Sequence, residues 1–216
     1  MMQLGFTPRH DGGLQILCLG AHSDDIEIGC GGAILELAQR YPQSIFHWAV
    51  FNATGVRQAE ALRGANLFAG KALKDPVLKS FPDGFMPYVG GEIKAVFEEL
   101  KQVLYPDLIF CPWRQDAHQD HRLIAELTWN TFRNHLILEY EIPKYDGDLG
   151  QPGVFIPLEP EIYQKKVQYI TDAFQSQTTK RWFEDSTFLA LMRLRGMECN
   201  APSGYAEAFH CRKLVL

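Results

Sequence analysis

Cysteine is scarce in this chain, and no two of Cys18, Cys30, Cys111, Cys199 and Cys211 form a Cys-x-x-Cys pair. That excludes a thiolate zinc finger and a stapled disulfide scaffold, and it fits a reducing, cytoplasmic setting. No run of lysine and arginine interrupts a net charge of −5. Binding along a phosphate backbone, and with it nucleic acid as a partner, is therefore not expected. No apolar run approaches the roughly 20 residues of a membrane span, and residues 1–13 hold no apolar signal core, so neither a membrane span nor export is expected. A Gly-x-Gly-x-x-Gly fingerprint is missing too. The run Gly29-Cys30-Gly31-Gly32 has the wrong spacing, and Asp24, Asp25 and Glu27 just before it would repel a pyrophosphate.

What is present reads as one large globular domain. The chain has 216 residues, 46% apolar and 22% charged, enough to bury a core without a disulfide or structural metal. Any metal would then serve chemistry. Residues 1–13 read as a flexible leader closed by Asp11-Gly12-Gly13, and 14–216 as the domain. Apolar runs at 14–19, 44–51, 77–81 and 107–111 read as buried strands. Helical spacing at 33–40, 57–68, 91–104 and 123–132 alternates with them. Strands at 137–142 and 154–158, helices at 161–174 and 179–196, and an edge strand in the tail from Tyr205 complete the pattern. Repeated β-α units predict an α/β fold with a mostly parallel sheet and right-handed crossovers.

Chemistry concentrates in two loops. His22, Ser23, Asp24, Asp25 and Glu27 follow the first strand. Asp116, His118, Asp120 and His121 follow the strand at 107–111. His22 and Asp25 are three apart, as are His118 and His121, and a parallel sheet can carry both loops to one edge, where ligands collect. Two imidazoles and one carboxylate with an open position form the ligand set of a catalytic zinc hydrolase site. Non-haem ferrous iron uses the same set. Taken singly, each loop also fits a plainer role: Ser23 and Asp24 are good helix caps, and 118–121 suits a solvated turn.

Ala21-His22-Ser23-Asp24-Asp25-Ile26-Glu27 resembles the Ala-His-Pro-Asp-Asp-x-Glu signature of the LmbE-like (PIG-L) family of zinc-dependent N-deacetylases. His118-Gln119-Asp120-His121 resembles that family's His-x-Asp-His. Weaker likenesses follow in family order at Arg57-x-x-Glu60, Phe81-Pro82-Asp83-Gly84 and Tyr205-Ala206-Glu207-Ala208-Phe209. Ser23 stands where the family usually has proline, and so does Gln119. The resemblance implies a Rossmann-like α/β fold with helices on both faces of the sheet. It implies Zn2+, with Fe2+ as the alternative, held by His22, Asp25 and His121. Asp24 is then the general base, His118 steadies the oxyanion, preferably as imidazolium, and Asp120 orients or charges a histidine. Water activated by the metal attacks the amide carbonyl.

The implied substrate is a small N-acetylated sugar or glycoconjugate. Alternatives are another small C–N bond, in a cyclic imidate or non-sugar amide, and a non-catalytic sugar-binding module. Position adds three candidate substrate contacts: Arg57, which can reach the same sheet edge, and Tyr205 and Glu207, which can line the cleft. The polar loop 144–152 is placed to choose the substrate. A homo-oligomer is compatible with all of this.

Overall fold

A computed structural model describes residues 3–8 and 13–215. The core begins with β1 (Gln15–His22), whose run of buried residues is what a central parallel strand requires. It continues through α1 (Asp25–Arg40), β2 (Ile45–Asn52), α2 (Val56–Ala69), β3 (Val77–Leu78), α3 (Gly90–Val103), β4 (Leu108–Pro112), α4 (Gln119–Thr131) and β5 (Leu136–Tyr140). The last third adds β6 (Val154–Pro157), α5 (Pro160–Ala173), α6 (Asp185–Glu198) and β7 (Ala206–His210).

The seven strands lie in the order β3-β2-β1-β4-β5-β7-β6. β1 to β5 pair in parallel, and β7 runs antiparallel to both β5 and β6. The expected mostly parallel α/β sheet is thus what forms. The order in which strands are added reverses beside β1: the chain steps outward through β2 to β3, then returns to β4 and continues the other way. Right-handed crossovers on the two arms place their helices on opposite faces. α1, α2, α5 and α6 pack together, and α3 packs with α4. Alternate β1 residues accordingly feed two cores, with Ile16 and Cys18 in one and Leu17, Leu19 and Ala21 in the other. The loops leaving β1 and β4 diverge from this switch point and leave a crevice between them.

Three expectations are corrected. The tail strand β7 is internal, and β6 forms the edge instead; one sequence cannot reveal an antiparallel strand inserted between two earlier ones. The last helix begins at Asp185, because 179–184 are turns. In the described part of the expected leader, the Phe6 backbone N–H donates to the Tyr41 hydroxyl at 3.0 Å, and that hydroxyl donates back to the Phe6 carbonyl. Asp11 and Gly12, the expected turn, lie outside the described residues.

The third correction matters most. α1 starts at Asp25, eight residues before the expected 33, and runs through the glycine cluster with a kink at Cys30 (φ −141°, ψ 15°). Glycine lowers helix propensity, so the pattern there does not read as helix. Packing overrides it, because the glycines admit neighbours. A Cβ on Gly29 would stand 2.1 Å from the Tyr140 ring, one on Gly31 2.5 Å from Phe68, and one on Gly32 2.6 Å from Leu158. Tyr140 cannot yield, being fully buried with its hydroxyl donated to the Leu19 carbonyl at 2.7 Å. Gly29→Ala should therefore destabilise the protein by about 1–3 kcal/mol, the usual cost of overpacking. Urea unfolding checks this, and an unchanged midpoint would contradict the close approach.

Candidate metal centre

His22 is the last residue of β1, and Asp25 is the first of α1. His118 precedes α4, and His121 lies in its first turn. The two strand ends meet at the crevice, and the residues they carry converge. His22 Nδ1 lies 3.1 Å from His121 Nε2. Asp25 Oδ2 is 3.5 Å from His22 Nδ1 and 3.3 Å from His121 Nε2. Three donor atoms thus form a nearly equilateral triangle. A tetrahedral zinc with bonds of about 2.0–2.1 Å requires ligand atoms about 3.3–3.4 Å apart, so His22, Asp25 and His121 fit such an ion and could hold it. The ligand atoms of His22, His118 and His121 likewise all lie within 4.8 Å of one another.

Each ring is braced on its far side, as metal-binding imidazoles usually are. His22 Nε2 lies 3.1 Å from Asp83 Oδ1 and 3.3 Å from Asp120 Oδ2, which leaves Nδ1 turned to the triangle. Asp120 is wholly buried and also accepts the Gly84 N–H at 2.7 Å and the Met86 N–H at 3.2 Å. It therefore fastens the 83–86 loop to His22. His121 Nδ1 is 3.0 Å from Asp116 Oδ2, a close ionic contact out of line for a hydrogen bond. Asp116 in turn binds Lys144 Nζ at 2.7 Å and accepts the His118 N–H at 2.7 Å. Lys144 also pairs with Asp148, so the 144–148 loop is tied to the histidine loop.

Electrostatics follow from this crowding. Burial opposes charge on His121, but Asp25 and Asp116 prevail and raise its pKa to about 9. His22 is pushed well up in the same way: burial works against it, and Asp25, Asp120 and Asp83 outweigh that. Asp25 is held well below the usual carboxylate range, with burial overcome by the two histidines. The cluster is thus built to surround positive charge. His118 goes the other way, lowered by burial and by His121 and His22. Its Nδ1 accepts the Asp120 N–H at 3.2 Å, so a neutral ring carries its proton on Nε2. Asp120, expected to orient or charge a histidine, sets its carboxylate against His22 at 3.3 Å, and only its backbone touches His118.

The capping role open to the first loop is not taken by Asp24, which makes no side-chain cap bond. Its Oδ1 meets Arg57 Nη2 at 2.7 Å. Arg57 also binds Glu60 at 2.8 Å and lies over the Phe174 ring. Arg57 therefore reaches the sheet edge as expected, held beside Asp24. Ser23, in the usual proline position, donates its hydroxyl to the Asn52 carbonyl at 3.2 Å. Gln119, at the other usual proline position, donates its side-chain amide to the Gly84 carbonyl. Glu27 is fully buried against Gly64, with no hydrogen bond to either oxygen, and burial pushes its pKa well up.

Two expected substrate contacts stand elsewhere. Tyr205 stacks on Tyr163 of α5 with ring centroids 3.9 Å apart. Glu207, on internal β7, is 4% exposed, and its oxygens are taken by the Gly32 and Ala33 N–H groups and by Lys166. A carboxylate so engaged is not available to substrate. Asp83 and Lys144, conversely, brace the site; Asp83 lies in the weak likeness Phe81-Pro82-Asp83-Gly84, and Lys144 in the polar loop 144–152.

Fold and cluster together define a Rossmann-like α/β protein with a two-histidine, one-carboxylate centre at its switch point. A family model described as PIG-L, GlcNAc-PI de-N-acetylase, matches residues 17–132. The chain belongs to that family of deacetylases. It is 26% identical over 168 residues to the uncharacterized deacetylase YaiS of Escherichia coli K12, covering 72% of this chain and 84% of YaiS. The conserved protein TT1542 of Thermus thermophilus has the same fold, with a TM-score of 0.75 at 20% identity over 94% of this chain and 96% of that one. So does the N,N'-diacetylchitobiose deacetylase of Pyrococcus horikoshii, with a TM-score of 0.65 at 18% identity over 92% and 83%. Among the described residues no helix is long and apolar enough to cross a membrane.

Proposed function

We propose that this protein is a zinc-dependent N-deacetylase that releases acetate from a small N-acetylated sugar or glycoconjugate. The observation that carries the reading is the donor triangle of His22, Asp25 and His121, with edges of 3.1, 3.3 and 3.5 Å. The sugar substrate is supported by family membership and by a structural neighbour named for diacetylchitobiose. The free thiols of Cys18, Cys30 and Cys111 support a cytoplasmic setting.

Amide hydrolysis needs a nucleophile, relief of charge on the carbonyl oxygen and a proton for the amine. A divalent ion held by the triangle would polarise the carbonyl and lower the pKa of water from about 15.7 toward about 7. Asp24, next to Asp25 but outside the triangle, takes the proton of the attacking water as general base. The Nε2–H of His118 donates to the oxyanion as the tetrahedral carbon forms. Asp24 then returns its proton to the amine nitrogen as the C–N bond breaks, leaving acetate and the free amine. Arg57 holds Asp24 in place and keeps further N–H donors for a substrate hydroxyl or phosphate.

The deciding experiment measures metal content and acetate release together. Wild-type protein should carry about one zinc per chain, as expected for one set of three ligands with an open position, and release acetate from N-acetylated sugars. His121→Ala should lose both. A protein that takes up no metal after dialysis against zinc would overturn the reading. Metal without acetate release would move the assignment to another C–N bond.

A further inference from the structure

The kink in α1 contains an arrangement that neither the metal centre nor the substrate reading uses. In an unbroken helix the Gly32 N–H would donate to the Ile28 carbonyl, four residues back. Here the Gly32 N–H donates to Glu207 Oε1 at 2.7 Å, and the Ile28 carbonyl receives Lys166 Nζ at 2.6 Å. Lys166 Nζ and Glu207 Oε1 are themselves 2.6 Å apart. An ion pair has been spliced into one backbone hydrogen bond. The second carboxylate oxygen accepts the Ala33 N–H at 2.7 Å. Glu207 so caps the rear segment of α1 where its dipole favours an anion, and Lys166 closes the end of the front segment. Both side chains are nearly inaccessible, 4% and 2% exposed.

The front segment, 25–29, is too short to hold a direction by its own hydrogen bonds. It carries Asp25 as its first residue, with Asp24 just before it. Its rear end is set by the Lys166–Glu207 splice and by the contact of Gly29 with Tyr140. We propose that Lys166 and Glu207 are a positioning pair for the metal centre, aiming the front segment of α1 so that Asp25 completes the donor triangle and Asp24 stands beside it. This rests on the triangle being a metal site. It assigns to α5 and β7, beyond the matched residues 17–132, a part in the geometry of the site.

A plain stabilising role makes a different prediction. Replacing a buried ion pair by apolar groups of similar volume is often neutral for stability. In the double variant Lys166→Met/Glu207→Leu the freed Gly32 N–H and Ile28 carbonyl can join and straighten α1. The test is cobalt(II) titration of the metal-free full chain, following the visible bands that report ligand geometry, alongside thermal unfolding. The double variant should melt near wild type, bind cobalt about 10- to 100-fold more weakly, as for lost outer supports of a metal site, and shift the bands. Glu207→Gln, which keeps the shape and loses the charge, should shift them in the same direction by less, and it decides the matter if the double variant does not fold. Unchanged bands and affinity in a folded variant would overturn the positioning role while the metal centre stands. A wild-type protein that takes up no cobalt would remove the centre and this role together.

Discussion

Asp24→Asn is expected to retain its metal and to lose about 10²- to 10⁴-fold in kcat for acetate release, the range associated with one general acid–base group. Asp25 supplies the carboxylate of the donor triangle, and Asp24 lies outside it with one oxygen on Arg57 at 2.7 Å. Asparagine keeps the shape and can still accept from Arg57, but it cannot take a proton from water or return one to the departing amine. Arg57 keeps its second carboxylate, Glu60, whose oxygens also accept the Ser176 N–H and hydroxyl at 2.7 Å, so the local framework survives the change. KM should move little, because the loss is confined to the transition state. Steady-state kinetics with metal analysis of the same preparation checks this. Turnover close to wild type at full metal occupancy would remove Asp24 as the base, and loss of metal would make it a ligand.

The legible parts of the site were those written locally. His22 and Asp25 flank one strand-to-helix turn, His118 and His121 another, and a parallel α/β pattern suffices to bring such turns to one edge. What braces the rings was not legible, because it comes from distant segments. Asp83 lies in the weak likeness Phe81-Pro82-Asp83-Gly84, which does not say that its carboxylate reaches His22, and Lys144 reaches Asp116 across 28 positions of chain. The pKa of His118 is set in a related way: burial and the neighbouring His121 and His22 lower it, and neither is visible in His-x-Asp-His. A glycine cluster that does not read as helix is the inside of one, because what those residues lack in propensity they give in close contact with Tyr140, Phe68 and Glu207. Glu207 was therefore placed in the cleft, when its partner was a backbone break 174 residues earlier.

Metal affinity should fall steeply with acid, by at least about 100-fold between pH 8 and pH 6. The sign follows from competition for the same lone pairs. An imidazole must be neutral to ligate, so each proton held by the metal-free site has to leave when the ion enters. His121 has its pKa raised to about 9, and His22 is raised well above its ordinary value. Throughout pH 6–8 at least one of these protons is present before binding, which costs about tenfold in affinity per pH unit; release of both would approach 100-fold per unit. Asp25 contributes no slope there, since the two histidines hold its pKa well below this range. Above about pH 9 the His121 proton is gone in the free protein, and its share of the dependence ends. Competition with a chromophoric chelator across pH 6–9.5, paired with calorimetry in buffers of different ionisation enthalpy to count released protons, measures both quantities. An affinity flat from pH 6 to pH 8 with no proton release would mean that the imidazoles of His22 and His121 do not bind the ion. Its ligands would then be carboxylates such as Asp83 and Asp120, and the donor triangle would be an ionic lattice of its own.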